Sequence, residues 1–242
     1  MLYKEGKKFI FVHIPKNAGN TIRESIFNLP NNDIKMVSRI EDEIEYKNFM
    51  NEHLTYDEHL EKYKRYDSED LFSFCFLRNP YERFISTYNY LAKDYFLTNG
   101  CLIRSNTSRL FIDKKNPIDT LIFLKENRDH YFFKDKHGYL QSDFIGKEKQ
   151  VHFIGLIDNF DKDIDYILNK LQLQKRKQFI TLNEGNHKYM DLITNPQYIE
   201  LINSIYETDV QLYNMVLNEK NKNEEFNIII NKENVIKRKN LI

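Results

Sequence analysis

The chain has 242 residues, with 36 basic and 36 acidic side chains, and only two of its residues are cysteines. That length can bury a substantial core as a single α/β domain, and the balanced charge leaves no global field to recruit nucleic acid. Two cysteines make no disulfide framework, no run approaches the ~18 apolar residues of a membrane span, and the opening Met1-Leu2-Tyr3-Lys4-Glu5 lacks a signal-peptide apolar region.

Lys8–His13 is rich in aromatic and β-branched residues and predicts a buried first strand. Pro15 ends it, Ala18 and Gly19 remove bulk, and Thr21 opens a helical pattern over Thr21–Asn28. A strand, a small-residue loop and a helix N-terminus make an anion site, to which Lys16 adds a full positive charge. A nucleotide-binding P-loop would need G-x-x-x-x-G-K-[ST]. Here Lys16 precedes Gly19 and the first glycine is missing. A second strand is expected at Ile34–Val37. Thr55 with Glu58 reads as a capping box opening a helix over Thr55–Lys64.

Leu71–Leu77 predicts another buried strand, with Cys75 as a small hydrophobe inside it. Pro80 suits the first turn of a helix over Pro80–Lys93, on which Phe84, Tyr88 and Leu91 recur at core-facing positions. Arg78 at the strand end and Ser86 two turns into that helix can converge on one phosphate, as a charged fork and a hydroxyl donor. Further elements are expected at Pro117–Asn127, Val151–Leu156, Phe160–Leu171 and Pro196–Asn218. Strands alternating with helix-length spacers imply a mainly parallel sheet covered on both faces, with ligands at the carboxyl ends of its strands. The polar tail from Glu219 carries Phe226–Ile230, read as either an added strand or a docking segment.

Pro15-Lys16-Asn17-Ala18-Gly19-Asn20-Thr21 resembles the 5′-phosphosulfate loop of sulfotransferases that use 3′-phosphoadenylyl sulfate (PAPS), with Asn17 and Asn20 where hydroxyl residues are commoner. Arg78-Asn79-Pro80-Tyr81-Glu82-Arg83-Phe84-Ile85-Ser86-Thr87-Tyr88 is similar to the 3′-phosphate element of the same family. Glu52-His53-Leu54-Thr55 resembles the segment bearing the family's base. Asn183-Glu184-Gly185-Asn186-His187-Lys188 and Tyr206-Glu207-Thr208-Asp209 resemble the ending of its carbohydrate branch, with Gly185 in place of a serine.

The resemblance implies a three-layer, P-loop-like α/β fold, with a single domain over 1–218 and a tail over 219–242. It implies transfer of a sulfuryl group from PAPS, without a metal ion, to a carbohydrate or glycolipid hydroxyl. Lys16 and His53 are the expected catalytic residues. Lys16, Asn17, Ala18, Gly19, Asn20, Thr21, Arg78, Ser86, His187 and Lys188 are the expected cofactor contacts. Residues 94–138 have no counterpart in the resemblance and are expected to carry acceptor specificity.

Relatives of this branch sit in the Golgi behind an anchor. A bacterial cytoplasmic enzyme, peripheral to the inner membrane at most, or a Golgi chain trimmed of its anchor, is therefore expected. Two alternatives remain at this stage: a nucleotide-dependent kinase, and a non-catalytic nucleotide- or glycan-binding module. Arg83 reads either as a second cofactor contact or as a surface salt-bridge partner. His59 competes with His53 as the base, but sits inside the predicted helix among packing residues. His13, His130, His137 and His152 are read as core or surface residues, and Tyr139 and Gln141 as acceptor contacts.

Overall fold

A computed structural model describes residues 2–4, 7–19, 21–22, 36–40, 43–47, 53–64, 71–97, 116–147, 149–173 and 188–222. The sheet runs in the order β1 (Leu2–Lys4), β2 (Lys7–Val12), β5 (Ser73–Leu77), β6 (Phe153–Leu156). β2, β5 and β6 are parallel, with Phe11 opposite Phe74 and Cys75 opposite Ile154. The fold is thus the expected α/β type, a parallel sheet flanked by helices. β1 is an antiparallel addition, too short to announce itself in the sequence. β3 (Met36–Ile40) and β4 (Glu43–Lys47) form a separate antiparallel pair, so the strand expected at Ile34–Val37 does not join the parallel sheet.

Alternation along the strands divides the core by side-chain type, because successive residues point to opposite faces. Phe9, Phe11, Phe74, Phe76 and Phe153 face α4 (Phe160–Leu171), where Ile164, Ile167, Leu168 and Leu171 form the buried stripe. Ile10, Val12, Cys75, Leu77, Ile154 and Leu156 face the other way, onto Tyr56, Phe144, Leu212, Tyr213 and Val216. With both faces covered, every residue of β5 and β6 is buried. Opposite Phe76 stands Gly155, where a Cβ would lie 2.6 Å from the phenyl ring. A third cluster joins Phe84, Ile85 and Tyr88 of α2 (Pro80–Leu97), Leu121 and Leu124 of α3 (Pro117–Glu126), and Tyr198 and Ile202 of α5 (Pro196–Ile205).

Capping follows the sequence closely. α1 (Tyr56–Lys62) starts in the expected box, with Glu58 N–H donating to Thr55 Oγ1 at 3.3 Å and Thr55 N–H to Glu58 Oε2 at 2.6 Å. Asn116 and Asn195 cap α3 and α5 ahead of Pro117 and Pro196. The single helix expected over Pro196–Asn218 is two, α5 and α6 (Glu207–Lys222). Arg128 explains the break: its guanidinium donates to the carbonyls of Ser204 and Ile205 at 2.8 and 3.2 Å, satisfying the end of α5. α6 runs past the boundary expected at 218, while the run Phe226–Ile230 lies outside the described residues. No helix among the described residues is long and apolar enough to cross a membrane.

Lys220 of α6 reaches Asp163 of α4 at 2.7 Å, and Asp163 also accepts the Leu156 N–H at 2.6 Å. Both side chains are sealed from solvent. Replacing Lys220 by Met leaves a buried carboxylate without its cation, so unfolding free energy should fall by about 3–5 kcal/mol. Urea titration of Lys220→Met measures this, and a loss below about 1 kcal/mol contradicts the role given to the pair.

Candidate active site

The loop after β2 curls back on itself. Lys16 and Ala18 adopt left-handed backbone, with φ of 68° and 54°, while Asn17 between them does not. Such alternation turns successive N–H groups into one concavity. The chain becomes helical at Gly19, where Ile22 N–H donates to the Ala18 carbonyl at 3.0 Å. Gly19 lets the His13 ring lie against the loop, since a Cβ there would fall 1.8 Å from His13 Nε2 and push the ring aside. Thr21 is buried in the first helical turn.

Asn17 behaves differently from the expected ester-oxygen donor. Its amide nitrogen donates inward, to the Phe76 carbonyl at 2.7 Å and Gln141 Oε1 at 2.6 Å, and its N–H donates to the Ile14 carbonyl. Gln141, expected near the acceptor, is buried: its Oε1 also accepts the Arg78 N–H at 3.0 Å and its Nε2 donates to the Arg78 carbonyl at 2.9 Å. Asn17 and Gln141 together brace the anion loop against the end of β5.

Arg78 leaves that strand end half-buried, donating to Glu82 Oε2 at 3.3 Å and to the Lys16 carbonyl at 3.5 Å. Glu82, Ser86 and Tyr90 recur every fourth residue on α2, so they share one helical face. Lys16 Nζ stands 4.2 Å from the centre of the Tyr90 ring, a cation–π contact. Asn89 of the same helix donates to the Lys188 carbonyl at 3.0 Å, which brings exposed Lys188 to α2. Asn20 and His187 lie outside the described residues.

Arg83 is not the surface salt-bridge partner that one reading of it allowed. It is 3% exposed and donates to the carbonyls of Pro15 at 3.3 Å, Tyr139 at 3.0 Å and His137 at 3.5 Å. Burial works against its charge, and the Asp209 carboxylate offsets part of that cost. Asp209 itself accepts the N–H groups of Gln141 and Ser142 at 2.8 and 3.0 Å.

His53 stands at the centre of a cluster of rings. Its Nδ1 lies 3.2 Å from the His13 carbonyl. A carbonyl only accepts, so Nδ1 carries the proton and the neutral ring keeps its lone pair on Nε2. The His53 ring centre is 4.6 Å from that of His13 and 5.2 Å from that of His137. Burial and then the like charge of His137 lower the His53 pKa to about 4, against the upward pull of the His13 carbonyl and Asp135.

His137, read from sequence as core or surface, is part of this group. Its Nδ1 donates to Asp135 Oδ1 at 3.0 Å, and its ring stacks on Tyr90 at 5.3 Å and 13°. Burial would raise the Asp135 carboxyl, but hydrogen bonds from the His137 ring and N–H hold it below the usual range. His59 is buried on the inner face of α1, stacked on Tyr63. Neither of its ring nitrogens has a hydrogen-bond partner among the described residues.

Sequence reasoning left Asp135 and Tyr90 unassigned and read His137 as core or surface, because the 135–137 segment and α2 meet only in the fold. One signal was available: Tyr90 follows Ser86 by four residues and therefore shares its helical face.

A lysine-bearing loop after β2, a second cation at the end of β5 and a buried neutral histidine thus lie at one edge of the sheet. Over residues 1–215 the sequence matches the Sulfotransferase family, and the chain belongs to it. No curated protein and no solved structure shows a significant match. The chain is thus a transferase of the sulfuryl-transfer class.

Because His53 titrates near 4 when folded and near 6.5 when unfolded, the unfolded chain binds more protons between those values. Stability therefore falls as pH drops through that window, and His59, lowered by burial, acts in the same direction. The urea midpoint should be lower at about pH 5 than at about pH 7, and His53→Asn should reduce the difference. A midpoint that His53→Asn leaves equally pH-sensitive contradicts the assignment.

Proposed function

We propose that the chain transfers the sulfuryl group of PAPS to a hydroxyl of a carbohydrate or glycolipid acceptor by in-line displacement. One observation carries the reading: Lys16, the candidate leaving-group cation, and His53, the candidate base, are joined through the Tyr90 and His137 rings into a single site. The concave turn at Lys16–Gly19, in a 16–21 stretch of sequence free of acidic side chains, suits the 5′-phosphosulfate. Arg78 and Ser86 suit the 3′-phosphate that distinguishes PAPS from its precursor.

Transfer of this kind resembles phosphoryl transfer, in which positioning and charge stabilisation supply most of the catalysis. Lys16 holds the departing phosphate as its charge grows. Backbone N–H groups of 19–21 and the Thr21 hydroxyl assist, and Asn17 shapes the loop from behind. His53 Nε2 takes the acceptor's proton, and its Nδ1–H stays on the His13 carbonyl, which stabilises the imidazolium formed. Lys188, held to α2 through Asn89, is assigned to the cofactor side. The same base geometry argues against a purely binding module.

Transfer of labelled sulfate from PAPS to a panel of glycans tests the reading, and His53→Ala should lose about 10²- to 10⁴-fold in rate while still binding adenosine 3′,5′-bisphosphate. Absence of transfer to every acceptor, with full nucleotide binding, overturns it. Arg78→Ala should weaken adenosine 3′,5′-bisphosphate binding at least about tenfold while leaving AMP almost unaffected. Calorimetry finding equal affinities for the two nucleotides contradicts the 3′-phosphate assignment.

A further inference from the structure

We propose that His137 is a positioning residue of the transfer reaction: held by Asp135 and stacked on Tyr90, it keeps the neighbouring His53 ring unprotonated until the acceptor hydroxyl gives up its proton. The inference rests on sulfuryl transfer with His53 as base, and names the residue that regulates that base.

Three observations carry it. The His53 and His137 rings meet edge to face at 5.2 Å and 73°, so a charge on one opposes a charge on the other. His137 cannot swing away easily, because Asp135 Oδ1 accepts both its ring Nδ1–H at 3.0 Å and its backbone N–H at 2.8 Å, and Tyr90 covers its face. The segment is fixed in turn by Arg83, which holds the His137 and Tyr139 carbonyls.

The charged and titratable groups around His53 come from every neighbouring element. His13 comes from the end of β2, Asp135 and His137 from the segment before residue 139, and Arg83 from α2. Lys16 is reached through Tyr90 and His137. Burial first, then His137 and Arg83, disfavour a proton on His53, whereas the His13 carbonyl and Asp135 favour it.

The site needs this opposition. A sulfate donor bears several negative charges, and beside His53 they would draw a proton onto Nε2 before the acceptor arrives, blocking the base. His137 counters that pull. In the step itself, the acceptor oxygen bonds to sulfur and its proton passes to His53 Nε2. The bond from sulfur to the phosphate oxygen breaks with its electron pair on that oxygen, beside Lys16. The His53 proton then leaves to solvent.

Titration of the histidine ring C–H signals by NMR on the nucleotide-free protein tests the proposal. His137→Asn retains an N–H donor toward Asp135, and His137→Phe retains the stack on Tyr90; both remove the titratable ring. In each variant His53, assigned by the signal lost in His53→Asn, should titrate about one pH unit higher than in the unsubstituted protein. The acid limb of the transfer rate should move by the same amount. An unchanged His53 titration in both variants overturns the proposal, because a merely structural His137 would leave it in place. Should the unsubstituted protein transfer no sulfate at all, the functional reading fails. The titration, which needs no turnover, still decides whether His137 governs His53.

Discussion

Arg83 carries a positive charge into the protein interior, and three backbone carbonyls fix where it can lie. One of them, on Pro15, belongs to the anion loop; the others, on His137 and Tyr139, belong to the segment that carries Asp135 and His137. A buried guanidinium stripped of those acceptors would face the cost of an unpaired charge, so the two halves of the site cannot drift apart cheaply. Asp209 on α6 supplies the nearby negative charge and holds the N–H groups of Gln141 and Ser142. Gln141 passes the constraint to Asn17 and the end of β5. The network thus joins α2, α6, the first loop and the 135–142 segment around one cation.

The polar network stands where the sheet's carboxyl edge leaves backbone groups without ladder partners. The sheet behind it is apolar on both faces, with aromatic residues against α4 and aliphatic ones against Leu212, Tyr213 and Val216. Division of labour follows: packing sets the strands, and the buried polar side chains set the loops that leave them. The cations that point outward, Lys16 and Arg78, then rest on partners of modest strength, a tyrosine ring and Glu82. An incoming polyanion can exchange such contacts at small cost. The inward side chains, the Arg83 cation and the neutral Asn17 amide, cannot be exchanged.

Much of this was legible in the sequence. Alternating Phe9-Ile10-Phe11-Val12 announces a strand buried on both sides, and Thr55 with Glu58 announces the start of α1. The lysine loop and Arg78-Asn79-Pro80 announce two strand ends that each carry a cation, and both lie where the pattern put them. What stayed hidden depends on residues far apart in the chain. Arg128 closes the end of α5 through the Ser204 and Ile205 carbonyls, a contact that no helical periodicity reveals. Asn17 reads as a cofactor contact and Gln141 as an acceptor contact until each becomes the other's partner. His137 sits in a polar connection whose sequence neighbours say nothing of His53 or Tyr90. Spacing shows which residues share an element; it does not show which elements meet.

The most direct test of the account is a crystal structure with adenosine 3′,5′-bisphosphate bound. The account predicts the 5′-phosphate within about 3.2 Å of Lys16 Nζ and the loop N–H groups, the 3′-phosphate on Arg78 and Ser86, and His53 Nε2 facing open space beside the 5′-phosphate. A nucleotide bound elsewhere, or one whose 3′-phosphate avoids Arg78, would contradict it.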